Sequence, residues 1–317
     1  MTEPGSHLSV MADEVVQGLA PKSGGTYVDG TFGAGGYSAA LLKQAKCTVW
    51  GIDRDPLAQT FGEKLSQIYP GQITVLSGCY GDMEALLADV GVKAIDGITL
   101  DLGVSSMQID DPGRGFSFRG DGPLDMRMGS SEQTAADVVN SFAEEEIANI
   151  IYMYGEERAS RRIAHAIVEF RKSKPITGTG QLASLIRSVV SKSKDGIDPA
   201  TRTFQALRIY VNDELGELDR GLGAAERLLV PGGRLAVVSF HSLEDRRVKT
   251  FLRTRSGDSP RPSRHLPDTG EVRVPTFKVT RKSGQKASPQ EVAVNPRARS
   301  ARLRVAERTA APAQVMA

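Results

Sequence analysis

Cysteine is nearly absent from this chain: two residues in 317, Cys47 and Cys79. Two thiols make neither a disulfide framework nor a zinc site, so the fold must rest on its own core. Both lie in apolar settings and read as reduced, half-buried thiols, as a reducing compartment would leave them. Histidine is also scarce, at four residues, and with the carboxylates it forms no recognisable metal-ligand spacing, so no metal site is expected. No apolar run approaches the roughly 20 residues that span a bilayer, so no membrane partner is expected. The opening residues show no basic stretch leading into an apolar one, so no signal peptide and a cytoplasmic location are expected. There is no Gly-x-Ser-x-Gly hydrolase elbow and no internal repeat.

What remains is an ordinary globular composition, 40% hydrophobic and 25% charged. The length is enough to bury a full core and suits two domains, or one large domain with an insertion. Net charge is only +2, but it is unevenly spread. Residues 246–308 hold 17 Lys and Arg against 5 Asp and Glu, while residues 1–245 hold 23 against 33. A basic C-terminal quarter on an acidic body fits a polyanionic partner, because cations that neutralise phosphates release counterions. A solvated basic tail would carry the same composition.

The first hundred residues alternate between short apolar runs and helical stripes. Strands are expected at Thr26–Asp29, Cys47–Ile52, Ile73–Leu76 and Ile95–Leu102. Helices are expected at Tyr37–Gln44, Leu57–Ile68 and Met83–Val90. This rhythm predicts a doubly wound parallel sheet, which binds ligands at the carboxyl ends of its strands. Beyond residue 106 the rhythm breaks. A glycine-rich loop is expected over Asp110–Gly129, then helices over Ala143–Tyr154 and Glu156–Lys172, and one capped by Thr179. A long helix over Pro199–Leu229 should end at Pro231-Gly-Gly, with a buried strand at Arg234–Phe240. A final hairpin, about 276–281 with 301–307, completes the sheet, and the proline-rich stretch Asp258–Pro275 reads as a mobile surface loop. The domain boundaries that follow are a discontinuous α/β domain, 1–106 with 206–317, and an inserted helical domain, 107–205.

The strongest chemical signal is Asp29-Gly-Thr-Phe-Gly33-Ala-Gly35-Gly36-Tyr37. Glycines at a strand-to-helix turn let the backbone approach a ligand. Gly33-x-Gly35 begins a dinucleotide fingerprint, but Ser38 stands where its third glycine should be. Asp29 also disfavours a diphosphate and suits a cation, such as a sulfonium carrying an amino group. Asp53, 20 residues after Gly33, is placed to accept ribose hydroxyls. Tyr80, after the third strand, either packs on an adenine ring or is an ordinary half-buried aromatic. Asp101 ends the fourth strand on the same crevice, either holding the N–H groups of an exocyclic amine or merely closing the strand. His241 and Ser242 are adjacent and face opposite ways on an extended strand, so their segment reads as substrate-side wall and helix start. Arg114-Gly-Phe116-Ser-Phe118-Arg119 interleaves cations and rings, which can stack on bases and bind phosphates, or form a lid.

These motifs together resemble the bacterial 16S rRNA cytosine-N4 methyltransferase family, called RsmH and formerly MraW. The similarity runs in order from His7-Leu-Ser-Val-Met through the glycine turn, Asp53-Arg-Asp-Pro, Asp101-Leu-Gly-Val-Ser-Ser and Asp121-Gly-Pro-Leu-Asp-Met-Arg-Met. It continues through Tyr154-Gly-Glu-Glu-Arg, Pro199-Ala-Thr-Arg-Thr-Phe-Gln-Ala, Ser239-Phe-His-Ser-Leu-Glu-Asp-Arg and Asn295-Pro-Arg-Ala-Arg-Ser. The resemblance implies a Rossmann-like class I S-adenosylmethionine-dependent methyltransferase sheet with an inserted helical substrate-recognition domain. It implies methylation of N4 on a decoding-region cytidine, with 16S rRNA of the small ribosomal subunit as partner. Carried over by position, the S-adenosylmethionine contacts are Gly35, Gly36, Tyr37, Asp53, Tyr80, Asp101 and Gln108, with Asp101 also catalytic. Arg114, Phe116, Phe118, Arg119 and His241 are the candidate RNA contacts. Tyr37 stands where the family often has His, and Tyr80 where it often has Phe.

Overall fold

The computed structural model describes residues 9–129, 131–191, 196–258 and 274–314. The chain divides into two compact units, Met1–Gly103 with Leu215–Ala317, and Val104–Glu214.

The first unit begins with α1 (Ala12–Leu19), β1 (Thr26–Asp29), α2 (Gly36–Gln44), β2 (Thr48–Asp53), α3 (Leu57–Ile68), β3 (Ile73–Ser77), α4 (Met83–Asp89) and β4 (Ile95–Asp101). The second carries α5 (Ser106–Asp110), α6 (Ala135–Ser141), α7 (Glu144–Gly155), α8 (Ser160–Arg171), α9 (Thr179–Val189) and α10 (Ala200–Val211). The chain rejoins the first unit along α11 (Glu214–Leu228). It then forms β5 (Leu229–Ser239), α12 (Ser242–Arg255), β6 (Phe277–Val279), β7 (Gln285–Lys286), α13 (Pro289–Val294) and β8 (Arg302–Arg308).

The sheet runs β3-β2-β1-β4-β5-β8-β6, with β7 on β8. The first five strands are mutually parallel, and β8 is antiparallel to β5 and β6. Both faces are buried, as a parallel sheet under helices requires. Val28, Ile52, Ile98, Leu235 and Val237 pack on one side. Tyr27, Val49, Ala236 and Val238, at alternate positions along the same strands, pack on the other. Strand order reverses at β1, between β2 and β4, so the crevice for a ligand opens there. The second unit is a separate core of helix faces around Ile147, Ile151, Ile163, Ile167, Leu182, Ile186 and Leu207.

Several boundaries differ from those expected. The helix expected over Pro199–Leu229 is two, because Asp213 takes φ 47° between α10 and α11. Asn212 explains the stop. Its buried amide donates to Met126 O and Arg208 O, each at 2.8 Å, and its Oδ1 accepts Met128 N–H at 2.8 Å. Apolar spacing continues across the break, so periodicity alone does not reveal it. The helix expected from Glu156 starts four residues later, since Glu156 is left-handed at φ 51° and ends α7. Thr179 is the first residue of α9 and not its cap; its hydroxyl instead bonds Gly122 N and Gly120 O. β5 starts at Leu229, before Pro231-Gly-Gly, with a register shift opposite Ile95 and Gly97. At Gly233 a Cβ would meet Val230 O at 2.8 Å and Ile95 O at 3.1 Å, so the strands approach this closely only with glycine there. Most of the proline-rich stretch, 259–273, and the first two residues of the motif beginning at His7 lie outside the described residues.

Candidate active site

Three acids end consecutive strands of the crevice: Asp29 on β1, Asp53 on β2 and Asp101 on β4. Register explains why two of them meet. Asp29 pairs with Thr99, and Asp101 follows Thr99 by two residues, so Asp29 and Asp101 share a face of the sheet.

Asp29 is buried, and its Oδ2 accepts Ser38 Oγ–H at 2.8 Å and Ser38 N–H at 3.2 Å. Ser38, the residue that spoils the dinucleotide fingerprint, is thus what fixes Asp29 against the start of α2. Burial raises the Asp29 carboxyl to about 6, with the Ser38 hydroxyl opposing. Burial likewise pushes Asp101 well above the usual carboxylate range, reinforced by the charge of Asp29 and opposed by the Tyr37 phenol. Asp29 Oδ1 and Asp101 Oδ1 are buried with no hydrogen-bond partner among the described residues. Two such acceptors, each held above its ordinary pKa, call for a ligand that brings positive charge and N–H donors.

The glycine turn is built to pass close to its neighbours. Gly33 and Gly35 are left-handed, at φ 52° and 79°. A Cβ at Gly35 would lie 2.7 Å from the Phe32 ring, and one at Gly36 would lie 1.7 Å from Ser9 Oγ. Ser9 to Met11 therefore lies against the start of α2. Tyr37 is buried there and donates to Val10 O at 2.5 Å, so its side chain ties this N-terminal segment to the turn.

Asp53 accepts Gly33 N–H on Oδ2 at 2.7 Å and Asp55 N–H on Oδ1 at 2.8 Å. Each oxygen keeps a further lone pair for a ribose hydroxyl. Burial raises its pKa, and these two N–H groups oppose the rise. Asp55 Oδ1 accepts the N–H of Leu57, the first residue of α3, at 3.1 Å. Tyr80 follows β3, with its ring against Gly221 of α11.

His241 caps α12. Its Nδ1 accepts Glu244 N–H at 3.4 Å, while Glu244 Oε2 accepts Phe240 N–H at 2.8 Å and His241 N–H at 3.2 Å. This reciprocal box gives His241 a structural task that adjacency to Ser242 does not reveal. Several cations of the basic C-terminal quarter are likewise used inside the fold. Arg255 binds Glu226 and Arg304 binds Asp245, both at 2.8 Å, and Arg308 donates to Glu226 O. Lys249, Lys278, Arg281, Lys286 and Arg299 are exposed.

In the second unit, Gln108 is buried and closes a capping box with Ser105 over the start of α5. Phe116 lies in the core, and Phe118 packs edge-on against Phe204 at 4.8 Å under the Arg187 guanidinium. Arg114 donates to Arg127 O and Met128 O, at 3.2 and 3.3 Å. Arg119 is exposed. The two rings thus face protein, while Arg119 faces solvent.

A doubly wound, Rossmann-like sheet with acids at the strand ends of its switch point defines the class: an α/β domain built for a nucleoside-bearing ligand with a cationic end. Residues 5–309 match the model of the MraW methylase family, and the chain belongs to that family. It is 66% identical over 311 residues to the ribosomal RNA small subunit methyltransferase H of Rhodospirillum centenum, covering 98% of this chain and 94% of that protein. Identity to the protein of the same name from Rhodospirillum rubrum is 59%, over 97% of this chain and 95% of that one. The solved rRNA methylase of Streptococcus thermophilus is 12% identical over 94% of this chain and 93% of its own, with a TM-score of 0.37. The fold assignment rests on sheet order and not on that likeness. The chain is thus a methyltransferase. Among the described residues, no helix is long and apolar enough to cross a membrane.

Proposed function

We propose that this chain transfers a methyl group from S-adenosylmethionine to the exocyclic N4 of a decoding-region cytidine in 16S rRNA of the small ribosomal subunit, in the cytoplasm. The observation that carries the reading is the pair of buried oxygens on Asp29 and Asp101, without a hydrogen-bond partner among the described residues, at the strand-order reversal. The names of the relatives support an rRNA of the small subunit as substrate.

S-adenosylmethionine fits this donor set and supplies, when bound, an electrophilic methyl on a cationic sulfur. Asp29 balances positive charge at the amino-acid end beside the Gly33–Gly36 turn. Asp53 accepts the ribose hydroxyls, and Tyr80 flanks the adenine. Asp101 Oδ1 accepts an N–H of the target amine. A cytosine amine is a poor nucleophile, because its lone pair is delocalised into the ring. A carboxylate on its N–H favours the tetrahedral nitrogen of the transition state and takes the proton released as the N–C bond forms. Extruding the base from its stack first costs a few kcal/mol. Arg119 and the exposed cations of the C-terminal quarter hold phosphates, and the helical unit recognises the substrate. Phe116, Phe118 and Arg114 support the loop that presents Arg119, Gln108 fixes the backbone at the start of α5, and His241 fixes the backbone at the start of α12. The test is transfer from labelled S-adenosylmethionine to small subunits that lack the modification. Transfer to subunits is expected. Cofactor binding without transfer to subunits, free rRNA or assembly intermediates would refute the substrate.

A further inference from the structure

Asp53 and Tyr80, the residues assigned to the ribose and the adenine, stand on different loops, after β2 and after β3. The same face of α11 touches both loops. Glu217 is 1% exposed, and it forms an ion pair with Arg54, the residue next to Asp53. Gly81, next to Tyr80, directs its N–H at Glu217 Oε1 at 3.5 Å, and a Cβ on Gly81 would meet Glu217 Cγ at 3.0 Å. One turn further along α11, a Cβ on Gly221 would lie 2.5 Å from Tyr80 Cδ2 and 2.7 Å from Cε2. A glycine inside a helix normally costs stability relative to alanine, so its presence beneath this ring needs a reason. A buried carboxylate bridging two loops needs one too, since an ordinary apolar contact would hold the helix as well.

We propose that Glu217 and Gly221 are positioning residues for the adenosine half of the cofactor. Glu217 fixes the separation of the two loops, and the missing side chain at Gly221 seats the Tyr80 ring at the depth that an adenine requires. Neither residue touches the reacting atoms. The inference rests on the S-adenosylmethionine reading above and goes beyond it in assigning α11 a part in cofactor affinity.

The test uses the full chain with Glu217→Gln and Gly221→Ala, titrated calorimetrically with S-adenosylhomocysteine and with methylthioadenosine, which lacks the amino-acid end. Each variant should weaken both ligands about tenfold, by the same factor. KM for S-adenosylmethionine should rise while kcat stays within about twofold, since uniform binding alone is lost. In Gly221→Ala the gain in helix propensity offsets the cost of displacing the Tyr80 ring, so the unfolding midpoint without ligand should stay near the parent's, which separates lost seating from lost folding. Restoring room by Tyr80→Leu in the Gly221→Ala background should make the second change nearly neutral, where it is costly in the parent. Unchanged affinity in both variants would overturn the inference while leaving the cofactor reading intact. Weakening confined to S-adenosylhomocysteine would overturn it too, by locating the effect at the amino-acid end. A parent chain that binds neither ligand would remove both the inference and the reading beneath it.

Discussion

Asp29 and Asp101 end adjacent parallel strands on one face of the sheet, and each leaves one buried carboxyl oxygen without a partner among the described residues. Two acids so placed repel one another and resist ionisation. The arrangement costs stability in the free protein and is relieved by a ligand that brings positive charge and N–H donors.

A pH dependence follows. The carboxyl of Asp29 is raised from 3.8 to about 6 in the folded chain. Its stabilising contribution is complete below the unfolded value and is lost as pH rises through about 6. The difference in unfolding free energy between the parent and Asp29→Asn should therefore shift by about 2–3 kcal/mol between pH 4 and pH 7, the parent being relatively weaker at pH 7. On the proposed cofactor reading the sign reverses with S-adenosylhomocysteine bound, because an ammonium beside Asp29 would favour the ionised acid. Affinity should fall as pH drops below about 6 in the parent and stay flatter in Asp29→Asn. Denaturant melts at several pH values, with and without ligand, check both limbs.

The glycine turn makes a paired prediction. Gly36→Ala drives a methyl group into Ser9, whose hydroxyl stands 1.7 Å from the new Cβ position. The single change should displace the N-terminal segment and cost about 1–3 kcal/mol. Ser9→Gly should recover most of the loss, a non-additivity read from a double-mutant cycle of unfolding free energies.

Asn212 is the polar pin of the helical unit. Asn212→Leu removes the acceptor for Met128 N–H and the donor for Met126 O, leaving two buried backbone groups unsatisfied. A loss of about 2–4 kcal/mol is expected in urea unfolding, with cofactor affinity unchanged.

The loop at Arg114–Arg119 divides the same way. Phe116→Ala should cost about 3–5 kcal/mol of stability, since its ring is in the core. Arg119→Ala should leave stability alone and weaken RNA binding, lowering the salt slope by about one. Filter binding across a salt series distinguishes the two.

The parallel sheet was legible because each buried strand announces itself as a short apolar run ended by glycine or acid, as Thr26–Asp29 and Ile95–Asp101 do. The three strand-end acids were legible from those endings. What sequence could not supply is what tertiary contacts decide. Asn212 stops a helix whose apolar spacing runs on, because its amide satisfies backbone groups 84 and 86 residues away. Ser38 looks like a failed fingerprint until its hydroxyl is seen on Asp29. Phe116 and Phe118 read as base-stacking rings because interleaved cations and aromatics have the same pattern whether the rings face solvent or core. Glu217 gave no signal at all, since an acid on a helix usually faces water.

On the proposed function, Asp101 directs methyl transfer to a cytosine amine. Small subunits lacking the modification are treated with the chain and S-adenosylmethionine, and the rRNA is digested to nucleosides for mass spectrometry. N4-methylcytidine should form with the parent and fall at least about 100-fold with Asp101→Ala, while S-adenosylhomocysteine binding is only weakened. N4-methylcytidine formed at the parental rate by Asp101→Ala, or a methyl group found on another atom, would rule out this role for Asp101.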